Sequence, residues 1–282
     1  MEPIVADCSA QLIFTDKHTP MKLSVNFVDA FTSELFKGNP AAVILLDQWL
    51  PESVMQSIAT ENNLSETAFL VRDDERFLIR WFSPIKEVDF CGHATLASAF
   101  VLFNRHKEKS QIVFWAKAVG AITVSSGDGG LMEMSFPKQE PSEIDTVPPG
   151  LLDGLSIKPK EVLRNRQAYF AVYENEQQIR SIVPNSQALK ALDPYDVVVT
   201  APGETHDFVS RYFWPASGGE EDPVTGSIHS GLAPFWAQRL GKSELIAMQV
   251  STRTGLLNCR VESQRVFVSG MCIQYLDGVI NI

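Results

Sequence analysis

Cysteine is scarce in this chain and is not arranged in pairs. The 282 residues contain four cysteines, Cys8, Cys91, Cys259 and Cys272, and none of them belongs to a CxxC motif. This spacing excludes a zinc knuckle and a thioredoxin-type redox motif. A cysteine-poor chain with an acidic start is typical of a reducing compartment, so we expect a cytoplasmic protein.

Long apolar runs and basic charge are also lacking. No apolar run approaches the roughly 18 residues of a membrane span. The first 20 residues carry Glu2 and Asp7 but no basic segment before a long apolar run, so we expect no signal peptide. The formal net charge of -10 disfavours nucleic acid and anionic membranes as partners. A small molecule is the expected partner, and a homodimer is left open.

The motifs of common cofactors and nucleophiles are missing. The chain has no HExxH sequence and no carboxylate–histidine cluster at ligand spacing, so we expect no metal site. The segment 127–130 (GDGG) lacks the Lys-Ser/Thr of a phosphate loop, and no GxGxxG follows a first strand, so no nucleotide cofactor is implied. No GxSxG surrounds Ser227, which leaves little support for a serine hydrolase.

Two short segments, about 130 residues apart, each end a strand-like run at a glycine and begin a helix. They are 90–95 (FCGHAT) and 221–227 (EDPVTGS). A helix start presents unpaired N–H groups and a partial positive charge, so it attracts anions. If the two starts face each other, they form a carboxylate slot edged by His93, Asp222 and Ser227. The sequence therefore indicates an enzyme that acts on small acids.

The order of the predicted elements suggests a diverged internal duplication. In each half, strands and a short helix precede a glycine turn and a buried apolar helix, predicted at about 93–104 and 226–238. The best candidate for the link between the halves is 137–149, which is rich in Pro, Asp, Glu and Ser. The pattern favours two similar α+β domains with the site between them.

The domain boundaries follow from this organisation. We expect an N-terminal extension at 1–20, a first domain at 21–136 and a second domain at 137–282. For the C-terminal strand, 270–282, packing against the first domain is left open.

Three polar residues are candidates for chemistry, and each also has a plainer interpretation. Glu66 lies where a predicted helix gives way to an apolar strand. A partly desolvated carboxylate there is a usable acid and base near neutral pH, whereas the plainer interpretation is a surface glutamate. His93 is suited to donate to a carboxylate or keto oxygen, or merely to cap its helix. Asp222 precedes Pro223 and has the pattern of an N-cap, a role compatible with orienting a histidine.

Cys91 is ambiguous. A thiol before Gly-His at a helix start would have a lowered pKa and could act as a base. Two-base racemases need a second thiol opposite, and the matching place in the second half, taken as 222–224 (DPV), holds none. We therefore expect Cys91 to be a small buried residue. His229, inside the second helix, is expected to be structural.

Four sequence elements occur in one order over about 190 residues. They are 38–40 (GNP), 64–67 (LSET), 91–95 (CGHAT) and 221–227 (EDPVTGS). Together they resemble the PhzF-like family of phenazine biosynthesis, from about Met21 to the C-terminus. That family is similar in fold to diaminopimelate epimerase and proline racemase. The resemblance implies two similar α+β domains, each with a mixed barrel-like sheet around a central helix, and a ligand cleft between them.

The resemblance also implies an activity. The best-understood member of the family isomerises dihydro-hydroxyanthranilate without a metal or cofactor. Its general acid/base glutamate corresponds to Glu66, and its assisting residues correspond to His93, Asp222 and Ser227. The expected substrate-binding set is completed by Gly92, Gly226, Ser227 and Asn39. We therefore predict an isomerase that moves a proton within a small carboxylate-bearing substrate.

Two alternatives remain open. Cys91-Gly92-His93 is the racemase-like form of the first motif, so an amino-acid epimerase using Cys91 and Glu66 is one of them. The other is a non-catalytic binding or adaptor protein on the same fold. The complete set of polar motif residues argues against this second alternative.

Overall fold

A computed structural model describes residues 21–282, so the extension predicted at 1–20 lies outside the described residues. The elements of the first half are β1 (Lys22–Ala30), β2 (Asn39–Leu46), α1 (Glu52–Asn62), β3 (Glu66–Asp73), β4 (Arg76–Phe82), β5 (Glu87–Val88), α2 (Gly92–Arg105), β6 (Gln111–Ala116), β7 (Gly120–Ser126), β8 (Met132–Pro137) and β9 (Ser142–Glu143). The elements of the second half are α3 (Pro149–Gly154), β10 (Glu161–Arg164), β11 (Ala168–Val172), α4 (Glu176–Ser181), α5 (Ser186–Lys190), β12 (Asp196–Pro202), β13 (Phe208–Phe213), β14 (Glu221–Asp222), α6 (His229–Leu240), β15 (Glu244–Gln249), β16 (Gly255–Val261), β17 (Arg265–Gly270) and β18 (Cys272–Asn281).

The strands of the two halves pair in the same order. In the first half, β1 is antiparallel to β2, β2 is parallel to β3, β3 is antiparallel to β4, and β4 is parallel to β6, which continues antiparallel through β7 to β8. The second half repeats this pattern through β10, β11, β12, β13, β15, β16 and β17. The predicted α+β fold with two similar halves is therefore confirmed.

Each half also contributes strands to the other. β8 pairs with β17, so one mixed sheet continues through both halves. β18 pairs with β1 along its whole length, from Lys22 opposite Asn281 to Ala30 opposite Cys272. The short β9, which follows β8, pairs antiparallel with β10, the first strand of the second half, as β18 pairs with β1. Because the sheet is continuous, the boundary between 136 and 137 stays a proposal.

A largely buried helix lies against the strands of each half. In α2 nearly the whole first turn and the residues up to Ala99 are buried, because small side chains let the helix approach the strands closely. In α6, a Cβ at Gly231 would lie 2.8 Å from the Phe170 ring, so that position requires glycine. An apolar sequence on nearly all faces is typical of such an enclosed helix. Both helices were predicted, and their buried apolar side chains belong to one cluster with the strands around them.

The start of α6 differs from the prediction. The helix begins at His229, whereas the sequence pattern predicted a start near 226. The His229 N–H donates to Gly226 O at 3.2 Å, which makes a tighter turn before the first α-helical bond. None of the helices described in residues 21–282 has the length and apolar character that a membrane crossing requires.

Candidate active site

Glu66 and His93 form a buried pair where α2 begins. Asn63, in the left-handed backbone region, ends α1, and the chain then turns into β3, which Glu66 opens. His93 is the second residue of α2. Glu66 Oε2 lies 3.0 Å from His93 Nε2, and only 11% and 5% of the two side chains are exposed. This separation is short enough for proton exchange between them.

Asn39 connects this pair with the second half. Its Nδ2 lies 2.7 Å from Asp222 Oδ1, 2.9 Å from Val224 O and 3.1 Å from His93 Nδ1. A flipped amide would place Oδ1 against two oxygen acceptors, so the two hydrogens must point to Asp222 and Val224. The His93 Nδ1 atom then faces an amide nitrogen, which disfavours a proton there. The proton of neutral His93 therefore lies on Nε2 and points to Glu66.

Asp222 is held by side chains from both halves, and it does not cap α6. Its Oδ1 accepts from Asn39, its Oδ2 accepts from Thr225 Oγ1 at 2.5 Å, and its carbonyl accepts from Gln249 Nε2 at 2.7 Å. Asp222 belongs to β14, where it pairs with Tyr212. The predicted N-cap role is wrong, because the helix starts only at His229 and the Thr225 N–H already donates to Gln249 Oε1.

Burial and neighbouring charges shift pKa values in this group. Burial lowers the pKa of His93, but the hydrogen bond to Glu66 and the charges of Glu66 and Asp222 outweigh it, so the pKa is raised. Burial raises the pKa of Asp222 to about 6, with the charge of Glu66 adding to this effect and that of His93 opposing it. The site therefore retains protons more strongly than the same groups do in water.

Cys91 lies beside the pair as a thiol. Its Sγ is 3.5 Å from His93 Nδ1, and the side chain is buried. Burial raises the pKa of the Cys91 thiol well above its ordinary value, and the charge of Glu66 adds to this effect. A thiolate at the helix start would need a lowered pKa, so this environment disfavours Cys91 as a base.

The counterpart of Cys91 in the second half is Thr225. Thr95 Oγ1 donates to Cys91 O at 2.6 Å, and His229 Nδ1 contacts Thr225 O at 2.9 Å in the same place on the second helix. The sequence pattern placed this counterpart at 222–224, before Thr225, and that position is wrong. The tighter turn that precedes α6 moves the start of the helix to His229, so the counterpart lies later in the chain. The expectation that no second thiol faces Cys91 is unchanged.

Glu66, Cys91 and His93 could also hold a metal ion. One ligand atom of each lies within 4.8 Å of the others. A carboxylate, a thiolate and an imidazole are ligands that zinc accepts. The sequence did not reveal this grouping because Glu66 is remote from the other two along the chain. The expectation of no metal site therefore stays a prediction, which elemental analysis tests.

Ser227 belongs to a separate hydrogen-bonded chain in the second half. Gln167 Nε2 donates to Ser227 Oγ at 3.0 Å and to Tyr212 OH at 3.1 Å, and Tyr212 OH donates to Asp196 Oδ2 at 2.8 Å. Because Ser227 accepts from Gln167, its own hydroxyl hydrogen is free to donate to a ligand. Gly226, just before it, packs against Phe31, where a Cβ would lie 3.0 Å from the ring.

This second chain occupies the place that mirrors Glu66 and His93. Thr67 pairs with Phe82, the last residue of β4, and Val197 pairs with Phe213, the last residue of β13. These two pairs occupy the same position in the two halves. The residue before Thr67 is Glu66 and the residue before Val197 is Asp196, so the two acids are equivalent. Burial raises the pKa of Asp196 to about 6, opposed by hydrogen bonds from Tyr212 and Ser217.

Two further buried polar residues lie near the site, and the sequence pattern singled out only one of them. His229 is fully buried and contacts Thr225 O, and burial lowers its pKa to about 4, which favours the neutral imidazole. Its expected structural role stays a prediction. Gln249 was missed. It is fully buried and fixes both Asp222 and Thr225. Its only sequence signal is a polar residue at the end of a strand-like run, which is too common to single it out.

Comparisons with known proteins identify relatives along nearly the whole chain. A profile of the family described as phenazine biosynthesis-like protein matches residues 28–278. A Pseudomonas aeruginosa protein named an uncharacterized isomerase is 45% identical, over 93% of this chain and 100% of its own length. A Halalkalibacterium halodurans protein with the same kind of name is 41% identical, over 91% of this chain and 97% of its own.

Solved structures agree with these matches. A crystal structure of a PhzF-family phenazine biosynthesis protein from Enterococcus faecalis has 44% identity and a TM-score of 0.88, over 92% of this chain and 99% of its own. A hydroxyproline epimerase from Agrobacterium vitis, at 9% identity and a TM-score of 0.59 over 92% and 91%, shares the fold alone. The chain therefore belongs to the phenazine biosynthesis-like, or PhzF, family, and with relatives named isomerases at this identity the prediction of an isomerase is confirmed.

Proposed function

We propose that this isomerase moves a proton within a small carboxylate-bearing substrate by general acid/base catalysis, without a metal or cofactor. The observation that carries the proposal is the buried 3.0 Å contact between Glu66 Oε2 and His93 Nε2 at the start of α2. A carboxylate and an imidazole in such contact can take up, hold and return a proton.

Glu66 is the group that we assign to the transfer. Its carboxylate removes a proton from a carbon next to a conjugated system, and the electron pair of that C–H bond moves into the system. Glu66 then returns a proton to another carbon, which forms a new C–H bond and shifts the double bond. No net oxidation occurs, so the step needs no external electron carrier. The pKa of His93 is raised by its hydrogen bond to Glu66 and by the charges of Glu66 and Asp222, which favours a protonated imidazole beside the carbanion that forms.

The substrate carboxylate is assigned to the turn segments before the two central helices. Backbone N–H groups at Gly92 and at Gly226–Ser227 stand where helix-start donors attract anions. The free hydroxyl hydrogen of Ser227 adds a donor. Asp222, joined to Asn39, faces the same histidine from the second half and is suited to bind a hydroxyl or amino group. The resemblance to dihydro-hydroxyanthranilate isomerase favours a cyclic, unsaturated acid and a cytoplasmic, biosynthetic role.

Solvent-deuterium incorporation tests this proposal. A panel of cyclic and α-substituted acids is incubated in D₂O with EDTA-treated protein, and the carbon-bound deuterium is measured by NMR. Glu66→Gln keeps the shape but removes the proton carrier, so exchange into any acid that turns over should fall by about 10²- to 10⁴-fold. Glu75→Gln, at the turn between β3 and β4 with a glutamate that is 91% exposed, is the matched control and should exchange at the wild-type rate.

Other outcomes separate the alternatives. Cys91→Ala should change exchange little, because the buried thiol does not ionise readily. If Cys91→Ala is as damaging as Glu66→Gln, the epimerase alternative is correct. If no acid of the panel exchanges with wild-type protein, while one still binds, the binding-protein alternative is favoured. Activity that disappears with EDTA and returns with zinc would contradict cofactor independence.

A further inference from the structure

A single turn in the second half contacts both sides of the candidate site. This turn, 251–255, follows β15 and leads into β16. Its Ser251 Oγ donates to Pro223 O at 2.7 Å, directly beside Asp222. Its Thr254 O accepts from the Gly38 N–H at 2.8 Å, directly before Asn39. The turn therefore connects the two segments that bring Asn39 and Asp222 together.

Arg253 makes the densest set of these contacts. Its Nε donates to Gly38 O at 2.8 Å, and its Nη2 donates to Lys37 O at 2.9 Å and to Asp29 Oδ1 at 2.8 Å. Asp29 is itself buried, with 6% of its side chain exposed. The planar guanidinium donates to two carbonyls of the loop before β2 and to the Asp29 carboxylate at the end of β1, which an ammonium group cannot do with the same geometry. Arg253 thus fixes both peptide groups that precede Asn39.

The backbone around these contacts is strained. Phe31 and Thr254 have φ angles of 62° and 61°, in the left-handed region that side-chain-bearing residues rarely adopt, and Gly38, which tolerates that region, has a φ of 67°. The Phe31 carbonyl accepts from the Leu256 N–H at 2.9 Å, so the two strained loops hold each other. Such conformations persist only where surrounding contacts over-determine them, and they cluster at functional sites. The hydrogen bonds of the 251–255 turn supply that constraint.

We propose that Arg253 is a positioning residue that holds Asn39 against His93 and Asp222, an inference that rests on the proposed function for its catalytic meaning. Asn39 is fully buried and its amide contacts His93 Nδ1, Asp222 and Val224 at once. A shift of its backbone by a fraction of an ångström would lengthen all three contacts together. Arg253 therefore positions the amide that contacts His93 and Asp222 without touching either residue.

NMR of the Asn39 side-chain amide tests this proposal without any substrate. The amide signals of Asn39 are assigned from their loss in Asn39→Ser. In Arg253→Lys the charge is kept, but a single ammonium group cannot reach all three acceptors in the same geometry. When Asn39 moves away from Asp222 and Val224, its amide hydrogens lose their acceptors. Their exchange with solvent should then be faster by at least about fivefold, as expected for loss of one hydrogen bond of about 1 kcal/mol.

A matched arginine separates positioning from simple support of the fold. Arg260, on β16, pairs with Glu133 and Glu262 and is 37% exposed, against 32% for Arg253. Arg260→Lys should leave the solvent exchange of the Asn39 amide unchanged. If Arg253→Lys lowers the melting temperature but leaves the Asn39 amide signals and their exchange at wild-type values, Arg253 only stabilises the fold and the proposal is wrong. Asp29→Asn, which weakens one of the three hydrogen bonds of Arg253, should speed the exchange of the Asn39 amide by a smaller factor, and no change there would also count against the proposal.

Failure of this inference is distinguishable from failure of the proposed function. Where exchange activity is found, Arg253→Lys should reduce it by about tenfold or more, since small misplacements of a site are costly. A less protected Asn39 amide in Arg253→Lys, with no deuterium entering any acid, supports the positioning role and contradicts the function. Normal deuterium incorporation with an unchanged Asn39 amide contradicts the positioning role alone.

Discussion

Asp222 carries an unfavourable charge in the folded protein, and this makes the stability dependent on pH. Its pKa is raised from 3.8 to about 6, first by burial and then by the charge of Glu66. A folded-state pKa above the unfolded value means that the protonated form stabilises the fold. This stabilisation is complete below about pH 4 and is lost as the pH rises through 6.

Asp222→Asn should therefore stabilise the protein above pH 6. The amide resembles the protonated acid, can still accept from Asn39, and leaves the Thr225 hydroxyl as an acceptor. The gain in the free energy of unfolding should grow from near zero at pH 4 to as much as about 3 kcal/mol at pH 7, from the conversion of about 1.4 kcal/mol per pKa unit. Urea unfolding at several pH values measures it. Asp277→Asn, on exposed β18, controls for loss of a charge, and a gain independent of pH would contradict the account.

Glu66 and His93 were singled out because their neighbours in sequence define their positions. Glu66 at a helix-to-strand corner and His93 after Gly92 are local features, and the structure places their side chains in contact. The meeting of Asn39 with Asp222 is not local, because 183 positions separate them in the chain. No spacing rule reports such a contact, since it depends on how the two halves dock. The chemical roles of these residues remain proposals.

The loop between β1 and β2 contains a glycine, Gly38, whose position leaves no space for a side chain. Gly38 has a φ of 67°, and a Cβ there would lie 2.2 Å from the Ala30 carbonyl oxygen. Gly120 has a φ of 76°, but nothing lies within 4 Å of its Cβ position. Comparison of Gly38 with Gly120 therefore separates two costs of replacing a glycine, the left-handed backbone and the crowding of an added Cβ.

Gly38→Ala should destabilise the fold more than Gly120→Ala. The left-handed backbone alone costs a non-glycine residue about 1–2 kcal/mol, which is the loss expected at Gly120. Crowding against the backbone should add about 1–3 kcal/mol at Gly38. Thermal unfolding of both variants measures the difference. Equal losses would show that the loop relaxes, and that the Gly38 position does not hold Asn39 tightly.

The helices illustrate what a sequence pattern determines at the scale of elements. α2 was predicted from 93 and begins at Gly92, because the glycine and the apolar run that follows are both local signals. The start of α6 was predicted near 226 but lies at His229, and Asp222-Pro223 has the sequence pattern of a helix cap. Asp222 instead pairs in β14 and bonds to Asn39 of the other half. Tertiary contacts thus override a capping pattern that is common in sequences.

The whole molecule is built from two copies of one pairing order that exchange their final strands. The order of elements was visible in the sequence, because each copy has its own strand, helix and glycine signals. The exchange of strands between the halves was harder to predict from the sequence, because pairing between distant segments leaves no periodic pattern. The exchange is also unequal. β18 supplies ten residues to the first half, whereas β9 supplies two to the second.

Removal of β18 should therefore loosen the first half selectively. A chain that ends at Met271 leaves β1 paired with β2 alone, and its amides facing β18 lose their acceptors. In hydrogen-exchange mass spectrometry, β1 should lose protection strongly, while β15, β16 and β17 should change little. A synthetic peptide of residues 270–282, added in trans, should restore protection of β1. If β1 stays protected in the shortened chain, β2 and α2 alone hold it, and the C-terminal strand is not needed to complete the first half.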